Sequence, residues 1–353
     1  MFQPKKIVFF GVGAIGASVG TWIAEIFDET YFFARGKTKA ALKANGIAYY
    51  EVGKKGKEDS ITTVQPVKIM ENLGELTTDD VLVLTVKNYN LSEAAEQISD
   101  QCYDEPLIIS MANGKTNQDI LPKYFSKVIY CIVCHNAWRD IKYLERENKL
   151  VVGSQKRGPI ILGTPDNTLQ NEMNVIKEIF DRGIETIITD KLQDTVHSKI
   201  ALNLVNALTA LLGHGLQPIS DPDIFQTLTN GLLIEGIKIL EAEGYNESQL
   251  GGLASWSAIR MSAKLPRFMT RGMFKKAIAK MPMSSMTQDI VQRKLKISEL
   301  ESLNGYILKL GEKHNIKAPY NRTLYNLCKA RFKAEDFRPM DVKDVMMEVQ
   351  KSA

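Results

Sequence analysis

Three groups of residues in this chain combine types and spacings that could do chemistry. The first is Gly11, Val12, Gly13, Ala14, Ile15 and Gly16, a Gly-x-Gly-x-x-Gly run that follows the apolar stretch Ile7–Phe10. In such a run the first glycine permits a tight turn, the second lets backbone approach a pyrophosphate, and the third lets a helix pack closely on a strand. The N–H groups and partial positive charge at the start of the following helix would hold the phosphates. The second group is Lys199, Asn203 and Asn206, at steps of four and three and so on one helical face, set among Leu202, Leu204, Val205, Leu208 and Leu211. Polar groups so surrounded are costly if buried without partners. The stripe therefore suggests a lined cleft, the alternative being the exposed stripe of a half-buried helix. The third is Cys131-Ile-Val-Cys134-His135, spelled like a c-type haem attachment. It lies in an apolar, strand-like run, so it reads as core with His135 ending the strand. Zinc would need a second ligand pair, and none is spaced to supply it; no metal is expected.

Positioning these groups requires a strand at residues 7–10, a helix after the glycines, and a second strand at residues 30–34. The end of that second strand faces the adenine ribose of a bound dinucleotide, where an acid would accept from a 2′-hydroxyl. Arg35 stands there instead, with Lys37 and Lys39 nearby, and offers cations to a 2′-phosphate, the guanidinium in a bidentate way. This favours NADP over NAD; the alternative is a polar strand terminus. A short helix with a glycine stop is expected at 40–46, and short strands at 47–67 around the turn Gly53-Lys54-Lys55-Gly56-Lys57. Buried strands at 81–86, 107–111 and 128–134 lead into Lys87, Asn113 and the turn His135-Asn136-Ala137. Those residues occupy the carboxyl edge, where open α/β sheets bind ligands. Residues 149–163 suggest a strand pair, 171–182 a helix and 184–189 a last strand.

Beyond Asp190 the pattern is helical almost throughout. The reading is an α/β chain: a Rossmann-type, doubly wound sheet over residues 1–189, followed by an all-α domain over 190–353. The all-α part should open with a helix at 191–212, include another at 296–314, and end in a polar tail with a short amphipathic helix at 342–349. Composition agrees: 353 residues, 44% hydrophobic and 24% charged, suit about two soluble globular domains. No apolar run reaches the ~18 residues of a membrane span, and the N-terminus passes straight into the first strand. A cytoplasmic location is therefore expected, with no membrane partner. Four cysteines are too few for a secreted disulfide framework.

The net charge of +4 is unevenly spread: residues 1–189 carry 22 basic and 24 acidic side chains, and 190–353 carry 23 and 17. Arg260, Lys264, Arg267, Arg271 and Lys275 recur at steps of three or four in a stretch without acids, although Pro266 must break any helix there. Such a face is read as solvated, or as a rim attracting anionic ligands, rather than as a nucleic-acid surface. Apolar helices such as residues 224–240 could support a homodimer, and intramolecular packing explains them equally well.

In combination the motifs resemble the ketopantoate reductase (2-dehydropantoate 2-reductase) family over nearly the whole chain. The ordered matches are Gly-Val-Gly-Ala-Ile-Gly at 11–16, Ala-Arg-Gly at 34–36, Leu-Lys-Ala-Asn-Gly at 42–46 and Thr-Val-Lys at 85–87. Asn-Gly at 113–114, Lys-Ile-Ala-Leu-Asn at 199–203, Ser-Ser-Met-x-Gln-Asp at 284–289 and Glu-x-x-x-x-Asn-Gly at 299–305 follow. The resemblance implies an NADP-binding Rossmann domain before a helical domain, and hydride transfer from NADPH to a 2-oxo acid. It further implies that Lys199 donates the proton, that Asn203, Asn206 and Ser285 bind substrate, and that Asn113 lies between nicotinamide and substrate. Lys87, Ala137 through its backbone, and Glu299 would contact cofactor, with Glu299 also orienting Lys199. In the family the two helix asparagines usually stand four apart, and an Asn-Gly pair often follows them; here they stand three apart and Gly213-His214-Gly215-Leu216-Gln217 contains no asparagine. The interval from Ser285 to Glu299 is about two residues longer than usual. A reductase of another oxo acid or imine, and a non-catalytic NADP-binding regulator, are the alternative readings.

Overall fold

The computed structural model describes residues 2–52, 61–64, 66–251 and 254–352, so the turn expected at 53–57 lies outside the described residues. The chain divides into two compact units, Met1–Leu192 and Gln193–Ala353.

In the first unit the strands are β1 (Ile7–Phe10), β2 (Thr30–Phe33), β3 (Ile47–Glu51), β4 (Thr62–Val64), β5 (Lys68–Ile69), β6 (Val81–Leu84), β7 (Leu107–Ser110), β8 (Val128–Val133), β9 (Ala137–Arg139), β10 (Leu150–Ser154), β11 (Ile160–Gly163) and β12 (Thr186–Ile188). Helices α1 (Ala14–Ala24), α2 (Gly36–Asn45), α3 (Leu91–Gln101), α4 (Thr116–Ile120), α5 (Ile141–Glu147) and α6 (Gln170–Phe180) alternate with them. The main sheet runs in the order β12-β11-β8-β7-β6-β1-β2-β5, parallel from β5 to β8 and antiparallel at β8 and β11. Strands β1, β6, β7 and β8 are buried along their whole length, as continuous Val, Ile, Leu and Phe runs require of strands covered on both faces. Phe9 and Phe32 stack 5.9 Å apart across β1 and β2, in the same buried core as Trp22 of α1.

A second sheet, in the order β4-β3-β10-β9, corrects one expectation. The strands at 149–163 exist but do not pair with each other: β10 joins β3 and β9, whereas β11 joins β8 and β12. Between them Arg157 is anchored to Glu25 at 2.8 Å, Glu51 at 3.3 Å and the Tyr49 hydroxyl at 2.8 Å, so the chain crosses from one sheet to the other. The helix expected at 40–46 begins four residues earlier, at Gly36, and ends as expected at Gly46 with a positive φ of 64°.

The second unit is helical: α7 (Leu192–Asn203), α8 (Val205–Leu211), α9 (Pro222–Ala242), α10 (Trp256–Lys264), α11 (Arg267–Lys280), α12 (Ser285–Thr287), α13 (Tyr306–Lys313), α14 (Pro319–Arg331) and α15 (Val342–Ser352). The single helix expected at 191–212 is interrupted at Leu204. The helix expected at 296–314 starts later, with a π-helical turn over Glu301–Gly305 that runs into α13. Pro266 separates α10 from α11 as its geometry demands. Two cations of the basic stretch are spoken for: Arg260 pairs with Glu241, and Arg271 with Asp223 at 3.2 Å. The tail is packed rather than loose, because α15 buries Val342, Val345 and Val349.

Candidate functional site

In the first unit the glycine run turns β1 into α1. Gly11 adopts a φ of 92°, and a Cβ there would meet Val86 at 2.9 Å. A Cβ on Gly16 would collide with the Gly11 carbonyl and the Thr85 hydroxyl, which itself donates to that carbonyl. Gly13 differs: its φ is an ordinary −78°, and nothing lies within 4 Å of where its Cβ would be. It is the N-cap of α1, whose first N–H groups receive no side-chain cap. Open space over uncapped helix donors fits a pyrophosphate.

That space continues into a cleft of about 280 Å³ lined by Gly11, Val12, Gly13, Arg35, Thr38 and Arg139. Arg35 is the N-cap residue of α2 and lies 3.6 Å from Glu93, which also borders the cleft. Of the nearby lysines, Lys39 is turned to Glu71, shared with Lys43, and these two hold the Glu71 carboxyl below its usual range. Sequence reasoning missed Thr38, Glu93 and Arg139, whose guanidinium donates to the Thr38 hydroxyl at 3.4 Å. The available signal was period two: Ala137 and Arg139 fall on the same face of one strand.

At the carboxyl edge, three residues beyond β6, Lys87 is the N-cap of a short 3₁₀ turn, Asn88–Asn90. Asn113 follows β7, and its carbonyl accepts from the Asn88 amide, which ties the two loops together. Asn117 steadies the same loop by donating to the Ser110 hydroxyl at 3.0 Å and the Ala112 carbonyl at 3.3 Å. Ala137 is not in a turn, as expected, but opens β9 opposite Ser154 of the second sheet. Cys131 and Cys134 are buried, with the Cys131 thiol pushed far up by burial, and buried His135 lies 5.2 Å from the Trp22 ring.

In the second unit Lys199 is half-buried, Asn203 is buried at 9% exposure, and Asn206 is half-buried. The stripe spans the interruption: at Leu204 the N–H donates three residues back, to the Ala201 carbonyl at 3.3 Å, in a tightened turn. The segment carrying Ser285 lies against α8, because the Thr209 hydroxyl is 2.9 Å from both the Ser284 hydroxyl and the Asn206 carbonyl. Ser284, not Ser285, caps α12 by accepting from the Thr287 N–H at 3.2 Å. Glu299 is buried immediately before the π-helical turn, its carbonyl accepting from the Leu303 N–H and the Ser302 hydroxyl, both at 3.1 Å. The 213–217 loop meets the same neighbourhood: His214 lies 3.3 Å from the Met281 carbonyl, and desolvation lowers its pKa.

Comparison with known proteins matches these units in order. The family model described as ketopantoate reductase PanE/ApbA covers residues 7–155, and that of its C-terminal part covers residues 191–332. The 2-dehydropantoate 2-reductase of Archaeoglobus fulgidus is 26% identical over 93% of this chain and 98% of its own length. That of Pyrococcus horikoshii is 24% identical over 92% and 97%. Among solved structures, the 2-dehydropantoate 2-reductase of Geobacter metallireducens superposes with a TM-score of 0.72 at 19% identity, over 92% of this chain and 99% of that one. A D-mandelate dehydrogenase, solved as a ternary structure with NADH and anilino(oxo)acetate, gives 0.70 at 17%, over 93% and 98%. At such identities the structures speak for the fold alone, whereas the two sequence models span both halves of the molecule: the chain belongs to the ketopantoate reductase family of NADP-dependent oxidoreductases.

Proposed function

We propose that this chain reduces a 2-oxo acid to the 2-hydroxy acid with NADPH, with ketopantoate and pantoate as the default pair. That would place it in pantothenate and coenzyme A biosynthesis. The observation that carries the reading is a half-buried lysine, Lys199, one helical turn from a buried amide, Asn203. NADPH, when bound, supplies a hydride to the carbonyl carbon. As negative charge develops on the oxygen, Lys199 stabilises it and hands over a proton. Asn203 and Asn206 hold the substrate, Ser285 binds its carboxylate or hydroxyl end, and Asn113, lying between nicotinamide and substrate, contacts both. Glu299 orients the amine. Arg35 grips the 2′-phosphate, the Gly11 to Gly16 turn the pyrophosphate, and Lys87 and the Ala137 backbone further parts of the cofactor.

One observation favours a second reading, a reductase for another oxo acid or imine: Asn206 follows Asn203 by three residues rather than four. Following NADPH oxidation against ketopantoate and a panel of other 2-oxo acids and imines separates the readings. Turnover of ketopantoate supports the first, turnover only of another compound the second, and cofactor binding without turnover of any compound would leave a non-catalytic regulator. Among the described residues no helix is long and apolar enough to cross a membrane, and a cytoplasmic location belongs to the same proposal. So does a homodimer, since one structurally similar protein is described as a dimeric ketopantoate reductase from Staphylococcus aureus; light scattering would report the mass.

A further inference from the structure

The motif at 299–305 contains an asparagine that the proposed reaction leaves without a task. Asn304 is fully buried within the π-helical turn that follows Glu299. Its Nδ2 donates to the Leu204 carbonyl at 3.2 Å, a hundred residues away in sequence. Leu204 is the residue at which α7 gives way to α8, between Asn203 and Asn206. The other half of the amide, Oδ1, is buried with no hydrogen-bond partner among the described residues. A buried amide left half-satisfied is destabilising next to an apolar residue of the same size, so packing alone does not account for it.

We propose that Asn304 is a positioning residue for the reduction proposed above, on which this inference rests. Its one hydrogen bond joins the segment bearing Glu299 to the break in the helix bearing Lys199, Asn203 and Asn206. The bond reaches the carbonyl of Leu204, the N-cap residue of α8, and so fixes how far α8 is turned relative to α7. The turn angle sets where the Asn206 amide points relative to Lys199, and the same bond sets the depth of Glu299 beside them. A π-helical turn suits this task, because the extra residue per turn rotates one side chain out of the helical register. Gly305 donates to the Leu300 carbonyl at 3.0 Å in that wide turn, directly after Asn304.

Asn321 provides a control. It too is a fully buried asparagine whose Nδ2 donates to a helix carbonyl, Leu232 at 3.0 Å, and whose Oδ1 lacks a partner among the described residues; its Nδ2 donates in addition to the Glu235 carboxylate at 3.0 Å. Its partner helix, α9, carries no proposed site residue. The experiment compares the full-length wild type with Asn304→Ala, Asn304→Ser and Asn321→Ala, well below each melting temperature. Kinetics are measured on whichever oxo acid the wild type reduces, and NADPH affinity by fluorescence titration. Misplacing catalytic groups by about 1 Å lowers turnover by about 10²-fold. A fall of at least tenfold in kcat/KM for the oxo acid is therefore expected in both Asn304 variants, larger than any weakening of NADPH, which Glu299 also contacts in the proposed site. Asn321→Ala should lose thermal stability without that fall. Should Asn304→Ala not fold, Asn304→Ser, smaller in its perturbation, decides. Wild-type kinetics in a folded Asn304 variant, or an equal loss in Asn321→Ala, would overturn the inference. A wild type that reduces no member of the panel would instead overturn the proposed function, so the two failures are told apart.

Discussion

Lys199 and Arg35 divide the proposed chemistry between proton and phosphate, and each can be removed without disturbing the other. Lys199→Ala should lower kcat by about 10²–10⁴-fold, the range of a general acid, while NADPH affinity by nicotinamide fluorescence stays within twofold, roughly the scatter between contexts of a side chain that touches no cofactor. Arg35→Ala should do the reverse, weakening NADPH by about tenfold or more through loss of a charge-assisted bond and leaving NADH unchanged. Equal losses for both nucleotides would remove Arg35 from the 2′-phosphate. At this scale the place of Arg35 was legible, since the end of the second strand comes to the cleft that the glycine turn also lines. Glu93 and Arg139 were not: their proximity to Arg35 depends on how α3 and the second sheet fold back on the cleft, and no local spacing encodes that.

The strand–turn–helix element separates two roles that glycine has in one motif. Gly13→Ala should fold normally, because its φ of −78° suits any residue and its Cβ would enter open space. That space is where the phosphates are expected, so NADPH affinity should fall while the melting temperature holds. Gly16→Ala should lower the melting temperature, since the added methyl meets the Gly11 backbone and the Thr85 side chain, an overpacking that costs about 1–3 kcal/mol. Differential scanning fluorimetry with and without NADPH distinguishes the two. The parallel strands were readable because their apolar runs are continuous, and α9 because its periodicity is long. Where two strands such as β10 and β11 find their partners was not readable, because alternation records which face is buried and not which neighbour lies alongside. The interruption at Leu204 was hidden for a similar reason: neither glycine nor proline stands there, and what marks it is a side chain from Asn304, a hundred positions on.

Across the whole molecule, acid stability should carry the signature of Glu243. Lys313 first, then His314, hold its carboxyl below the ordinary value of 4.5. A carboxylate favoured in the folded state stabilises above that ordinary value, and the contribution is lost as pH falls through the lowered one. Urea midpoints should therefore drop more steeply below about pH 4.5 in the wild type than in Glu243→Gln; parallel curves would deny the pair a role. Glu235, pushed up by burial against the start of α14, contributes the opposite slope and is common to both proteins.

The pairing of Arg35 with Glu93 also changes how the molecule would acquire its dinucleotide. The guanidinium already faces an anion, a carboxylate 3.6 Å away that is itself largely in water. With Arg35 in its proposed role at the 2′-phosphate, capture would exchange one anion for another, the phosphate taking the place of Glu93. Exposed pairs of this kind are weak and release readily. Dissolved salt loosens the tether and the newcomer alike, so grip on the dinucleotide should vary less with ionic strength than it would around a solitary arginine.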